Sequence, residues 1–141
     1  MAKKLGNDYR LFVRAADGTT FSQPAGQGNL TRNGGKNFSS NATKDTEGYD
    51  TQQPGLRTLT LKQDMIPSLP DPTGYTRMET LDKANGTEMY QIRKKPFATG
   101  DVVFEAVMYT GLDDTSFNQG TSVTVGVTLT LAEAPTVDAL T

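Results

Sequence analysis

Cysteine, histidine and tryptophan are absent from the 141 residues. Without a thiol or an imidazole the chain has no disulfide, no Cys/His metal site, no thiol nucleophile and no side chain that ordinarily titrates near neutrality. A serine or threonine nucleophile would then need a lysine base, and no Ser-x-x-Lys spacing is present. The expectation is a protein that is not an enzyme and has no catalytic residues and no cofactor. A basic surplus is missing too: 14 Lys+Arg stand against 16 Asp+Glu, with a pI near 5.1. Nothing global therefore drives sequence-independent binding to phosphates. No run approaches the ~18 apolar residues of a membrane span, and Lys3-Lys4 lead into Gly6, Asn7 and Asp8 instead of an apolar signal core. A soluble chain with no membrane anchor and no export signal is expected.

Metal-binding spacing is lacking as well. Asp113-Asp114 and Asp45 with Glu47 are the close carboxylate pairs, and neither has the Asp-x-Asp-x-Asp-Gly pattern that wraps a Ca²⁺ ion. Solvated loops explain both, and no metal is expected. Gly26-Gln27-Gly28 lacks the third glycine and the following Lys-Ser/Thr of a phosphate-binding loop, so it reads as turn geometry.

What is plentiful is threonine, at 21 residues. Threonine is β-branched and suits a half-buried pleated surface, so the composition points to a β-rich domain. The hydrophobic fraction is only 35%, so the core must be lean, and the length suits one domain over residues 1–141.

Periodicity assigns the elements. Asp8 to Ala16 alternates, with Tyr9, Leu11, Val13 and Ala15 on one face, and Asp17-Gly18 turns it into a return strand over Thr19 to Gln23. Residues 27–55 are polar and aperiodic, anchored only by Leu30, Phe38 and Tyr49. This is either a long loop or a hairpin arm tipped by Asn33-Gly34-Gly35, with strand character at Gly28 to Arg32 and Asn37 to Thr43. Gly55 to Met65 is a strand that the prolines at 67, 70 and 72 end. One helix spans Gly74 to Ala84, with a Thr76-x-x-Glu79 capping box, an apolar stripe of Tyr75, Met78 and Leu81, and an Asn85-Gly86 stop. Strands follow at Thr87 to Lys94 and Asp101 to Tyr109, then a polar loop from Gly111 to Gly120. A final strand, Thr121 to Ala132, turns Val123, Val125, Val127, Leu129 and Leu131 inward and Ser122, Thr124, Gly126, Thr128 and Thr130 outward. Residues 133–141 lose the pattern and form a mobile terminus or a docking arm.

Loops of nearly thirty residues are usually functional or disordered, which makes 27–55 the first place to seek a partner. Arg93-Lys94-Lys95 is the one basic run, read as a solvated strand end or as a contact with an acidic neighbouring subunit.

In order of elements the chain resembles the major tail tube proteins of long-tailed, non-contractile (siphovirus-like) bacteriophages and of related gene transfer agents. The likeness lies in Gly6-Asn7-Asp8-Tyr9-Arg10-Leu11-Phe12-Val13, in Pro24-Ala25-Gly26-Gln27-Gly28-Asn29-Leu30-Thr31, in Ser39 through Lys44-Asp45, and in the strand entry Pro54-Gly55-Leu56-Arg57-Thr58-Leu59-Thr60-Leu61. One helix, two strands and a Thr/Val strand follow these. The resemblance implies a mainly β fold, an antiparallel β-sandwich or partly open barrel with one flanking helix. It implies a structural virion protein, assembled in the host cytoplasm as hexameric rings that stack into a tube for DNA delivery. Its implied partners are further copies of itself, a tape-measure protein, tail terminator and baseplate or distal tail proteins, and double-stranded DNA in transient passage. Under that reading Leu30, Asn33, Lys36, Phe38, Lys44, Asp45, Tyr49, Arg93 and Lys94 are candidates for contacts between subunits or rings. Thr124, Thr128 and Thr130 are candidates for the channel wall.

Two other readings use the same residues. A carbohydrate-binding β-sandwich would place ligand in the loops 27–55 and 111–120, although tryptophan is absent and several Tyr and Phe sit at core parity, which leaves Tyr49 and Phe117 as loop rings for a sugar platform. A head decoration or tail-completion protein shares nearly every feature, and polymerisation separates it from a tube subunit.

Overall fold

Alternating apolar residues build one curled antiparallel sheet around a lean core, and the computed structural model describes residues 3–41 and 48–141. Strands β1 (Tyr9–Arg14), β2 (Phe21–Ser22), β3 (Gln27–Ser40) and β4 (Gln52–Met65) precede helix α1 (Tyr75–Ala84). Strands β5 (Thr87–Lys94), β6 (Val102–Ser116), β7 (Thr124–Leu131) and β8 (Val137–Asp138) follow it. The sheet order is β2-β1-β5-β6-β7-β4-β3, with β8 pairing β6 beyond the end of β7. The fold is mainly β with a single α-helix among the described residues, as the sequence pattern indicates, and a 3-10 turn at Gly6–Asp8 leads into β1.

The inward alternates meet as expected: Leu11 and Val13, Leu59, Leu61 and Met65, Tyr90 and Ile92, Phe104, Ala106 and Met108, and Val125, Val127 and Leu129 are all buried. Helix α1 lays Tyr75, Met78 and Leu81 onto this core. Its C-terminus closes at Asn85 in the left-handed conformation, as the Asn-Gly stop predicts. Its N-terminus differs from expectation. Thr76 lies inside the helix, and the Asp71 carboxylate accepts the Tyr75 N–H at 3.1 Å and the Ala25 N–H at 3.1 Å. A carboxylate one turn earlier thus does the capping and also ties the helix start to the entry of β3.

A charged group crosses from helix to sheet. Glu88 of β5 is buried and accepts from Arg14 Nε at 2.7 Å and from an Arg77 terminal nitrogen at 2.6 Å. Burial pushes the Glu88 carboxyl up, but the Met89 N–H and the two guanidiniums outweigh it and hold it below its ordinary value.

Three boundaries differ from the sequence reading, and the tail takes the second of its two expected forms. The polar segment 27–55 is a hairpin arm, but Asn33, Gly34 and Gly35 pair with Thr60, Leu59 and Thr58 in mid-strand, and the tip lies beyond Ser40 and Gln52. Strand β6 continues to Ser116, so the loop expected at 111–120 is much shorter. Its acidic residues look like loop because a bulge between Leu112 and Thr115 interrupts the pairing with β7. Val123 precedes β7 and is exposed, not inward. The tail docks: Thr136 N–H donates to Glu105 O at 2.9 Å and Ala139 N–H to Val103 O at 3.0 Å.

Candidate assembly surfaces

The arm follows from how far each strand pairs. Strand β7 stops opposite Thr60, so β4 from Leu59 back to Gln52 is bonded to β3 alone among the described residues. That stretch of eight residues is a two-stranded ribbon about 26 Å long at ~3.3 Å per residue. Residues 31–41 and 51–58 are exposed throughout, on both faces. A lone two-stranded ribbon is at best marginally stable in water. Large apolar side chains nevertheless sit exposed on it and beside its tip: Phe38, Tyr49 and Leu56, at 59%, 75% and 80%.

The expected contact residues divide by position. Asn33, Lys36 and Phe38 lie on the arm and Tyr49 at its tip, all exposed, while Leu30 is half-buried at the root against the core. Lys44 and Asp45, with Glu47, lie outside the described residues. Arg93 sits elsewhere. It is buried, with its guanidinium 4.6 Å from the Phe12 ring centre and 5.3 Å from that of Phe21, and bonded to Gln91 Oε1 and to Phe97 O. Phe12, Phe21, Phe97 and Arg93 form a satellite cluster on the side of the sheet away from the main core, which leaves Arg93 little surface for a neighbour. Lys94 points to the tail, with Nζ 3.3 Å from Thr141 Oγ1.

The outward face of β7 carries Thr124 and Thr130, both exposed, and Thr128, half-buried with its hydroxyl bonded to the Asp113 carboxylate. The register places Thr60, Lys62 and Asp64 of β4 beside Thr130, Thr128 and Gly126, and Thr31 and Asn33 of β3 beyond them. The result is a hydroxyl-rich face whose charges almost cancel. Sequence alternation on β7 finds three of its members, and the register supplies the rest.

A seam separates the two ends of the curled sheet. Gln27 bridges it with its side-chain amide, accepting the Leu11 N–H at 2.9 Å and donating to Leu11 O at 2.7 Å. Beside this bridge lies an open groove of about 930 Å³, lined by Tyr9, Leu30, Arg32, Ile92 and Phe104 among others. The part of β1 that β2 leaves uncovered, Tyr9 to Phe12, and the outer edge of β3 flank it. Among the described residues there is no cluster of three metal-ligating side chains.

Comparison with known proteins places the fold. The chain is similar to one from the tail of an empty gene transfer agent particle solved by helical refinement with C6 symmetry, at TM-score 0.81 and 11% identity over 97% of this chain and all of that one. It is similar to a chain of the virion of a native gene transfer agent particle, at TM-score 0.78, 11% identity, and the same two coverages. It is also similar to the SPP1 tail tube determined by solid-state NMR and cryo-electron microscopy, at TM-score 0.69 and 11% identity over 96% of this chain and 80% of that one. Neither a protein-family model nor a curated protein matches the chain. The chain has the fold of these tail subunits.

Proposed function

We propose that the protein is a tail tube subunit, a structural virion protein that assembles into stacked hexameric rings and forms a conduit for DNA. The observation that carries this reading is the ribbon of β3 and β4, exposed on both faces and bearing Phe38 and Leu56, on a fold shared with assembled tails. A neighbouring subunit or ring that covers the ribbon removes its apolar side chains from water and supplies the packing a lone hairpin lacks. In the tube the hydroxyl-rich face of β7, β4 and β3, short of its end at Asp64, lines the bore. Its near-neutral charge suits a passage, because each phosphate neutralised by a wall adds affinity and slows transit. A tape-measure protein inside the growing tube, with terminator and distal tail proteins at its ends, completes the assembly in the host cytoplasm.

Removal of the outer arm tests this. A variant in which Gly35 is joined to Thr58 through a short glycine turn keeps every core strand. It is expected to retain cooperative unfolding and the wild-type circular dichroism of its core, yet to form no tubes in negative-stain micrographs under conditions where the wild type does. Normal tubes from that variant contradict the role of the arm.

A further inference from the structure

Apart from the segment that joins β3 to β4, which adds Lys44, Asp45, Glu47 and Asp50, the strands at the two ends of the sheet carry opposite charge. The arm strands, residues 32–40 and 52–60, hold Arg32, Lys36 and Arg57 and no acid, whereas residues 64–75 and 113–124 at the other end hold Asp64, Asp71, Asp113 and Asp114 and no lysine or arginine. Topology sets the two groups apart. The ribbon leaves the sheet at the start of β4, while Met65, Val125 and Thr115 align at its far end.

At the ribbon, Lys36 and Arg57 are direct cross-strand partners. Like charges placed opposite each other in a hairpin are destabilising unless something compensates them. Both are exposed, and neither has an ion pair among the described residues. Arg32, on the same strand as Lys36, is paired with Asp138 at 2.5 Å. Arg57 and Asp64 lie seven residues apart on one strand, about 23 Å, which is well beyond the ~8 Å screening length at physiological salt. The far end therefore does not neutralise the arm of its own molecule. Asp50, at the ribbon tip, is bonded to Ser40 and Gln52 and lies about 13 Å past Lys36.

The far end also exposes apolar groups. Ile66 and Leu69 follow β4, and Phe117 and Val123 lie between β6 and β7, all exposed. Asp64 and Asp114 beside them are exposed and make no ion pair among the described residues. Cations with exposed Phe38 and Leu56 at one end thus face acids with exposed Ile66, Leu69 and Phe117 at the other.

Resting on the tube reading above, we infer that the occupant of the Lys36/Arg57 ribbon face is the acidic far end of a second copy, at Asp64 and Asp114. The contact is heterologous: the patch that docks differs from the patch that receives, so each stack keeps one of each free at its two ends and is polar. Charge then fixes the polarity of stacking, because ribbon against ribbon sets cation on cation and far end against far end sets acid on acid.

Charge exchange tests the assignment. Lys36→Glu with Arg57→Glu gives a chain acidic at both ends, and Asp64→Lys with Asp114→Lys gives one basic at both ends. All four side chains are exposed, and circular dichroism with thermal unfolding checks that each variant folds. Each double variant alone is expected to lose at least tenfold in polymer yield by sedimentation at low salt. An equimolar mixture of the two, or all four substitutions in one chain, is expected to recover it. Growth of either double variant at the wild-type rate, or failure of both the mixture and the fourfold variant to recover growth, overturns the inference and leaves the tube reading standing. A wild-type chain that forms no polymer overturns both.

Discussion

At the residue scale, the buried carboxylate of Glu88 binds the two layers of the fold. Arg77 comes from the helix and Arg14 from β1, so one side chain fastens both to β5. Its charge leaves water only because three donors replace the lost hydration. Replacing it by glutamine leaves two guanidiniums facing a neutral amide. Because both are partly exposed and screened by water, the expected loss is roughly 2–3 kcal/mol, below the upper range for a fully buried pair. The sign of its pH dependence follows from the direction of its shift. A carboxyl held below its ordinary value 4.5 contributes stability above that pH, and the contribution disappears as pH falls through the folded value. Thermal unfolding from pH 7 to pH 3 therefore shows a steeper acid loss for wild type than for Glu88→Gln. Parallel curves contradict this account.

Sequence legibility is also decided residue by residue. Strand β5 matches its predicted span because apolar Tyr90 and Ile92 alternate with polar Gln91 and Arg93 in sequence, although all four are buried, and α1 ends where Asn85 predicts. Arg93 was hidden: in a basic run it looks solvated, and only the fold brings Phe12 and Phe21 from other strands to its two sides. The Asp71 cap was hidden for the same reason, since its second donor, Ala25, is distant in sequence.

At the scale of elements, the ribbon shows why hydrophobic periodicity fails. Alternation marks a strand when one face is buried and the other is wet, and the outer parts of β3 and β4 are wet on both. They accordingly read as a loop with two short strand pieces and a misplaced tip, although their register runs unbroken from Leu30 to Lys36. The acidic end of β6 fails similarly, because Asp113 and Asp114 occupy a bulge. Strand β7, packed on one face, is legible except at Val123.

The seam belongs to this scale too. Gln27 substitutes a side-chain amide for the missing strand between β1 and β3. Gln27→Ala leaves the N–H and C=O of buried Leu11 without those partners, at a cost of about 1–3 kcal/mol. Hydrogen exchange reads it directly: the Leu11 amide is expected to exchange at least tenfold faster in the variant, while Val125 and Leu129 amides, in the sheet centre, change only by the global loss. Unchanged protection at Leu11 contradicts the bridging role.

At the scale of the whole molecule, a lean core and an acidic balance fit a subunit that finishes its packing in an assembly. In the proposed tube, the face formed by Thr60, Thr128 and Thr130 is the wall past which DNA slides. Fluorescence anisotropy at physiological salt is expected to show duplex binding weaker than about 10⁻⁴ M, at the weak end of non-specific affinity. Tubes in which Thr124, Thr128 and Thr130 are replaced by lysine are expected to retain DNA in a salt-dependent way. Salt-insensitive, sequence-tight binding by the wild type contradicts the conduit reading.

Cryo-electron microscopy of the polymer grown from purified protein, with helical reconstruction, tests the central claim most directly. The predicted result is a hollow tube of sixfold rings, with the β3–β4 ribbon buried against a neighbouring subunit and the threonine face toward the bore. A chain that stays monomeric across the concentration series, or a polymer whose ribbons lie free in solvent and whose threonine face points outward, contradicts it.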